Sequence, residues 1–152
     1  MTPVILVDAD ACPVKDEIYR VAGRYGVAVK LVSNSPLYAP PLPFLERVQV
    51  GDGFDAADDW IAGQASAAAI VITADILLAD RCLKAGATVL APTGKPFTSA
   101  SIGGAIAQRA LMADLRAMGT VSGGPAPFAK TDRSRFLSAL DEAVNVVRRR
   151  PG

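Results

Sequence analysis

Aspartate is the residue type on which this sequence could build a reactive centre. Asp8 and Asp10 follow the aliphatic run Val4-Ile-Leu-Val, and Asp75 follows Ile70-Val-Ile-Thr-Ala. A third group, Asp55, Asp58 and Asp59, falls at i, i+3 and i+4, the spacing of one helical face. Carboxylates brought together in this way repel. Two of them about 4 Å apart cost roughly 4 kcal/mol at an effective dielectric near 20, so a proton, an arginine or a cation must offset the charge. Carboxylate oxygens suit Mg²⁺ or Mn²⁺. Such an ion can activate water and stabilise charge on a phosphoryl oxygen. The chain has no histidine. This excludes Ser-His-Asp and Cys-His catalysis and His-ligated zinc, leaving acid-base and metal chemistry to Asp, Glu, Lys, Cys or Tyr.

Ordinary roles compete at some of these positions. Asp55 is well placed to cap a helix, Asp58 and Asp59 could be a solvated face, and Asp80 lies a turn beyond Asp75. Asp8, Asp10 and Asp75 stand apart because acids that end buried aliphatic runs have little structural reason to be there. If the strand continues through them, side-chain alternation puts Asp8 and Asp10 on one side and Ala9 on the other.

The elements that must position these acids are legible from periodicity. Pro3 to Val7 reads as a strand covered on both faces, and Pro13 suits the first residue of a helix over 14–25 that Gly26 ends. Val27 to Val32 is a second strand, and Ser33 to Pro43, with four prolines, is a loop. Val48 and Val50 mark a short third strand, and a helix follows from about Asp55 to Ala67. Ala69 to Thr73 is a buried strand, Leu77 to Lys84 a helix, and Thr88 to Leu90 a strand. Pro92 to Pro96 reads as a loop, Ser101 to Met118 as a helix, Val121 to Pro127 as a loop, and Asp132 to Arg149 as a last helix. Strands alternating with helices imply a three-layer α/β/α domain with a mostly parallel sheet, and no linker divides residues 1–152. Ligands of such sheets bind beyond the carboxyl ends of the strands, where these acids fall.

Bulk properties narrow the class. The 152 residues are 51% hydrophobic and 20% charged, a core-rich globular composition. No apolar run approaches the 18 or so residues that cross a bilayer, and Asp8 interrupts the first short one, so no membrane association and a cytoplasmic location are expected. The net charge of +1 signals no strong overall attraction to nucleic acid, and 6% aromatic residues indicate no base-stacking platform. Cys12 and Cys82 are too few for a disulfide framework. Cys12, near a helix start, reads as a small buried residue before a reactive thiol, and Cys82 as core.

Several residues could assist. Lys15 could balance charge or touch a phosphate, and Thr73 and Ser33-Asn34, at strand ends, could bond a ligand or orient an aspartate. Gly123-Gly124-Pro125 reads as a plain loop. Lys130, Arg133 and Arg135 open the last helix and could contact a nucleic-acid backbone, with Lys130 and Arg133 the stronger candidates. Arg148 to Arg150 suit a helix C-terminus.

The motifs Val7-Asp-Ala-Asp-Ala-Cys-Pro-Val-Lys, Gly53-Phe-Asp-Ala-Ala-Asp, Val71-Ile-Thr-Ala-Asp-Ile-x-Leu-Ala and Gly123-Gly-Pro followed by Asp132-Arg span nearly the whole chain. They resemble those of the uncharacterised bacterial YaiI/YqxD family, which is similar to PIN-type nuclease domains. The resemblance implies a PIN-like fold and Mg²⁺- or Mn²⁺-dependent hydrolysis of RNA or single-stranded nucleic acid. It matches Asp8 and Asp75 to strand-end metal ligands and Asp55 and Asp58 to the acidic position on a helix; Asp10 belongs to the family's own motif. Asp8, Asp10 and Asp75 are thus the expected catalytic set, and Asp8, Asp55, Asp58 and Asp75 the expected metal ligands. Two other readings stay open. A strand followed by DxD resembles the haloacid dehalogenase signature, with Asp8 as nucleophile, Asp10 as acid/base, and Thr73 with Lys84 or Lys95 as partners. The third is a non-catalytic module that binds RNA or a nucleotide.

Overall fold

Five of the six strands begin from aliphatic or β-branched residues that lose little by being covered on both sides, and this shapes the molecule. The structure is a computed structural model, and it describes residues 1–53, 55–119 and 127–151. In chain order the elements are β1 (Val4–Asp8), α1 (Lys15–Tyr25), β2 (Ala28–Ser33), β3 (Leu45–Gln49), α2 (Ala56–Gln64), β4 (Ala69–Ile72), α3 (Ile76–Lys84), β5 (Thr88–Leu90), β6 (Pro96–Phe97), α4 (Ile102–Ala117) and α5 (Lys130–Arg149). The strands form one sheet in the order β3-β2-β1-β4-β5-β6. Every neighbouring pair is parallel except β5 and β6, which are antiparallel.

Strand alternation sorts the core into two halves. Ile5, Val7, Val29, Leu31, Ile70 and Ile72 point to one face, where Ile18 and Val21 of α1 meet Phe136, Leu140 and Val144 of α5. Leu6, Val32, Val71 and Val89 point to the other, under Ile61 of α2, Leu78 and Cys82 of α3, and Ile102 of α4. The expected three-layer α/β/α architecture is therefore the one observed.

The differences are local and have physical causes. Pro13 precedes the first helix, which starts at Lys15, two residues later than its preference for a first turn suggested. The third strand is centred on Leu45–Gln49 and leaves Val50 outside, and α2 ends at Gln64. The segment expected to be a loop through Pro96 contains the start of β6: Ala91 N–H donates to Lys95 O (2.9 Å) and folds the chain back on β5. The last helix begins two residues earlier than expected, with Asp132 accepting from Ala129 N–H (2.9 Å) at its first turn. The loop expected over 121–127 falls almost wholly outside the described residues.

β2 and β3 are parallel neighbours with no helix between them. Parallel strands need a crossover of about a dozen residues, and the segment 34–44, with its four prolines, supplies it as irregular chain with bends at 34–35 and a turn at 43–44. The β5–β6 turn depends on Gly94, whose φ is +88°. A Cβ there would lie 2.6 Å from the backbone carbon of Arg135 and 2.7 Å from Phe136 N, so the turn seats directly on the α5 backbone.

Gly94→Ala combines a strained left-handed backbone with a clash that no side-chain movement relieves. It is expected to destabilise the protein by about 2–4 kcal/mol. Urea denaturation should show a lower midpoint with an unchanged slope; an unchanged midpoint would mean the turn does not pack on α5.

Candidate acidic site at the carboxyl edge of the sheet

The strand order reverses between β1 and β4: β2 and β3 are added on one side of β1, while β5 and β6 extend the sheet beyond β4. Connections leave these two strands in opposite directions and open a crevice at their carboxyl ends, the usual ligand position in open α/β sheets. Asp8 ends β1, and Thr73 to Asp75 join β4 to α3. α2 packs over β1 and β2 and against α3, which carries Asp55 and Asp58 at its start to the same edge. The N-termini of α1, α2 and α3 all follow carboxyl ends of parallel strands, so the positive ends of three helix dipoles converge here.

One hydrogen-bond chain holds the centre. Thr73 Oγ1 donates to Asp8 Oδ2 (2.9 Å), and the same hydroxyl accepts from Asp75 N–H (3.0 Å). Thr73 is 2% exposed, and a buried hydroxyl pays for its burial only by being bonded at both ends, as this one is. Asp75 Oδ1 in turn accepts from Leu77 N–H (2.9 Å) and Leu78 N–H (3.3 Å), capping α3. The expectation that strand-end acids lack a structural reason therefore needs correction for Asp75, which has one. The cap uses Oδ1.

Asp10 also departs from expectation. β1 ends at Asp8, and Ala9–Ala11 form a single 3-10 turn, so strand alternation no longer applies. Asp8 reaches toward β4. Asp10 reaches toward the end of β2, where its Oδ2 accepts from Asn34 N–H (3.0 Å) and its Oδ1 from Ser35 Oγ (2.9 Å). The two acids of the DxD motif serve opposite neighbours of β1.

Charge couples the remaining acids. Burial, and then the negative charges of Asp75, Asp8 and Asp55, push the Asp58 carboxyl up to about 6, opposed by Arg81. The Asp8 carboxyl is also raised, chiefly by burial and further by Asp75 and Asp10, while the Thr73 hydrogen bond works against the shift. Asp55 precedes α2 but its side chain makes no capping bond. Asp59 instead pairs with Arg81 (2.9 Å), and Asp80 with Lys84 (2.9 Å), both at the surface. Arg81 had no signal in the sequence, because its role depends on how α2 packs on α3.

The other expected residues lie farther from this centre in function. Arg133 donates to Pro13 O (2.6 Å) and Glu17 (3.1 Å), and stacks on Phe128 at 5.0 Å, clamping α5 to the start of α1. Lys15 and Lys130 form no ion pair among the described residues. Cys12 is half-buried, and burial pushes its thiol up, away from the reactive thiolate. Cys82 is core. Arg148 stacks on Tyr25 at 5.0 Å, and Arg150 donates to Ala67 O.

The donor set consists of hard carboxylate oxygens, which suit Mg²⁺ or Mn²⁺. Among the described residues no three acids or thiols lie close enough to hold an ion unaided. A small ion that keeps most of its waters needs only one or two carboxylates. Asp8 keeps Oδ1, and Asp75 keeps Oδ2, free of protein hydrogen bonds among the described residues.

Fold and site together define a parallel α/β domain with an acidic crevice at the point where strand order reverses. A family model described as "Uncharacterized BCR, YaiI/YqxD family" matches residues 6–146, and the chain belongs to that family. It is 72% identical over 148 residues to the UPF0178 protein of Sphingopyxis alaskensis, covering 97% of this chain and 96% of that protein. It is 60% identical over 150 residues to the UPF0178 protein of Nitrobacter winogradskyi, covering 98% and 96%. No solved structure matches. Among the described residues no helix is long and apolar enough to cross a membrane.

The raised Asp58 carboxyl has a definite consequence for pH dependence. Its folded pKa of about 6 exceeds its ordinary value of 3.8, so the folded state holds the proton more tightly than the unfolded chain. Stability therefore increases as pH falls from above 6 toward 4, and the raised Asp8 acts in the same direction. Asp58→Asn should raise the thermal midpoint at pH 7.5 by a few degrees and flatten its change between pH 7.5 and 5. A variant with the wild-type pH profile would show that Asp58 does not carry the repulsion.

Proposed function

We propose that this protein is a divalent-metal-dependent hydrolase of phosphodiester bonds, acting on RNA. The observation that carries the reading is geometric: Thr73 ties Asp8 at the end of β1 to Asp75 after β4 across the reversal of strand order, each acid keeping one oxygen free among the described residues, with Asp55 and Asp58 at the start of α2 on the same edge. The sequence likeness to PIN-type nuclease domains supports the same chemistry. Asp8 and Asp75 would hold Mg²⁺ or Mn²⁺ through their free oxygens while the ion keeps its remaining waters, and Asp55 and Asp58 add negative charge at the same edge. When bound, the ion supplies positive charge at the phosphoryl oxygen and makes water more acidic.

The chain's own residues supply the rest. Thr73 fixes Asp8 by its hydrogen bond and keeps one carboxylate oxygen directed at β4. The α3 amides fix Asp75. Asp58, whose carboxyl is raised to about 6 by burial and the neighbouring acids, is the residue proposed to take the proton released as water adds to phosphorus. One P–O bond forms to the water oxygen as the bond to the leaving 3′ or 5′ oxygen breaks, and that oxygen takes its proton from solvent water. Asp10, bonded to Asn34 and Ser35, braces the rim of the crevice. That position disfavours the phosphohydrolase alternative, which needs Asp10 beside Asp8 as its acid/base.

Purified protein should cleave a single-stranded RNA oligonucleotide with Mn²⁺ or Mg²⁺ and not with EDTA. Asp8→Asn and Asp75→Asn should each lower the rate more than about 100-fold, and Thr73→Val about 10–100-fold through loss of ligand orientation. Cleavage that persists without metal and survives both aspartate changes would overturn the reading. Binding of RNA without turnover would favour a binding module.

A further inference from the structure

A cleft of about 510 Å³ lies between the start of α3, strand β6 and helix α4. Ile76, the residue after Asp75, is part of the lining, as are Lys95 and Phe97 at β6. Because β6 pairs antiparallel with β5 through Leu90 and Pro96, Lys95 stands at the carboxyl edge of the sheet, the edge that carries the acids. Along α4 the wall is a helical stripe that includes Arg109, Met112 and Arg116. Three cations thus line this cleft and, among the described residues, no acid does. A larger hollow, about 610 Å³, lies beside Met1 and Ala68 at the amino edge of the sheet and has no such charge.

We infer that this cleft holds the sugar-phosphate backbone of single-stranded RNA and leads it to the aspartates; the inference rests on the hydrolase reading above. In a chain whose net charge is only +1, three unopposed cations in one cleft make a local field that the whole molecule lacks. Arg109 and Arg116 are seven residues apart on one helix, roughly 10 Å along its axis. That span exceeds a single phosphate and fits successive phosphates of a strand. Arg109 and Arg116 form no ion pair among the described residues, so neither must be released before contacting a ligand. Phe97 and Met112 give the cleft an apolar lining beside these cations. Its lining includes Ile76, one residue from the acid that caps α3. The sequence suggested Lys130 and Arg133 for backbone contact, but Arg133 is already engaged by Glu17 and Pro13.

Binding of fluorescein-labelled oligouridine, followed by anisotropy in EDTA across a salt series, tests the cleft apart from catalysis. Arg109→Ala/Arg116→Ala changes two exposed helical positions to a stronger helix former, so folding is retained. Losing two phosphate contacts should reduce the slope of log K against log salt by about 1.4. Arg20→Ala/Arg149→Ala, an exposed charge-matched control, should leave affinity and slope unchanged, and Asp8→Asn should bind at least as well as wild type. Unchanged affinity and slope in Arg109→Ala/Arg116→Ala overturn the inference, as does failure of the wild type to bind. If those cleft variants bind normally while the wild type cleaves RNA, the cleft is wrong and the hydrolase reading stands. If cleft-dependent binding is found and no metal supports cleavage, the reverse holds.

Discussion

The reversal of strand order between β1 and β4 is the constraint on which the site depends. It leaves a crevice that neither flanking crossover can fill, at the edge where the parallel strands β1, β3 and β4 hand over to the N-termini of α1, α2 and α3. Their positive dipole ends partly offset carboxylates that would otherwise be expelled from one another. Thr73 converts this general preference into a specific geometry. Its single hydroxyl links Asp8 on β1 to the backbone of Asp75 after β4, spanning the reversal itself. A hydrogen bond to a charged group contributes about 1.5–3 kcal/mol, and this one works against the rise of the Asp8 carboxyl without cancelling it.

That balance is incomplete. Arg81 is the cation that opposes the raised Asp58 carboxyl, and it spends its hydrogen bond on the exposed Asp59 instead. A surface pair of this kind contributes little. The crevice thus retains unrelieved negative charge at Asp58 and Asp8, while cations stand apart in the cleft along α4. Segregated acid and base at one sheet edge suit a ligand that is itself an anion held next to a cation, which is the arrangement a phosphodiester and a divalent metal would present.

Much of this was legible in the sequence because burial on both faces leaves an unmistakable aliphatic run. β1, β2 and β4 announce themselves that way, and the acids Asp8 and Asp75 that follow them fall where the topology needs them. What escaped reading depends on contacts distant in sequence. β6 has only Pro96 and Phe97 and exists because the Gly94 turn seats on α5. The alternation argument failed at Asp10 because the strand stops at Asp8, and a 3-10 turn sends the side chain toward Asn34 and Ser35. Asp75 carries a helix cap besides its place in the crevice, which periodicity alone does not reveal. Lys95, Arg109 and Arg116 are ordinary surface cations in sequence, and only the packing of α4 beside β6 collects them.

The central claim is that these aspartates form a site left short of positive charge, completed by a divalent cation. Thermal denaturation against Mn²⁺ concentration at pH 7.5 tests it most directly, since a ligand bound only by the folded state raises stability by about 2.7 kcal/mol at a hundredfold excess over its Kd. The account predicts a saturable rise in the midpoint for the wild type and none for Asp8→Asn/Asp75→Asn. An unmoved wild-type midpoint at millimolar Mn²⁺ and Mg²⁺, or an equal rise in the double variant, would contradict it.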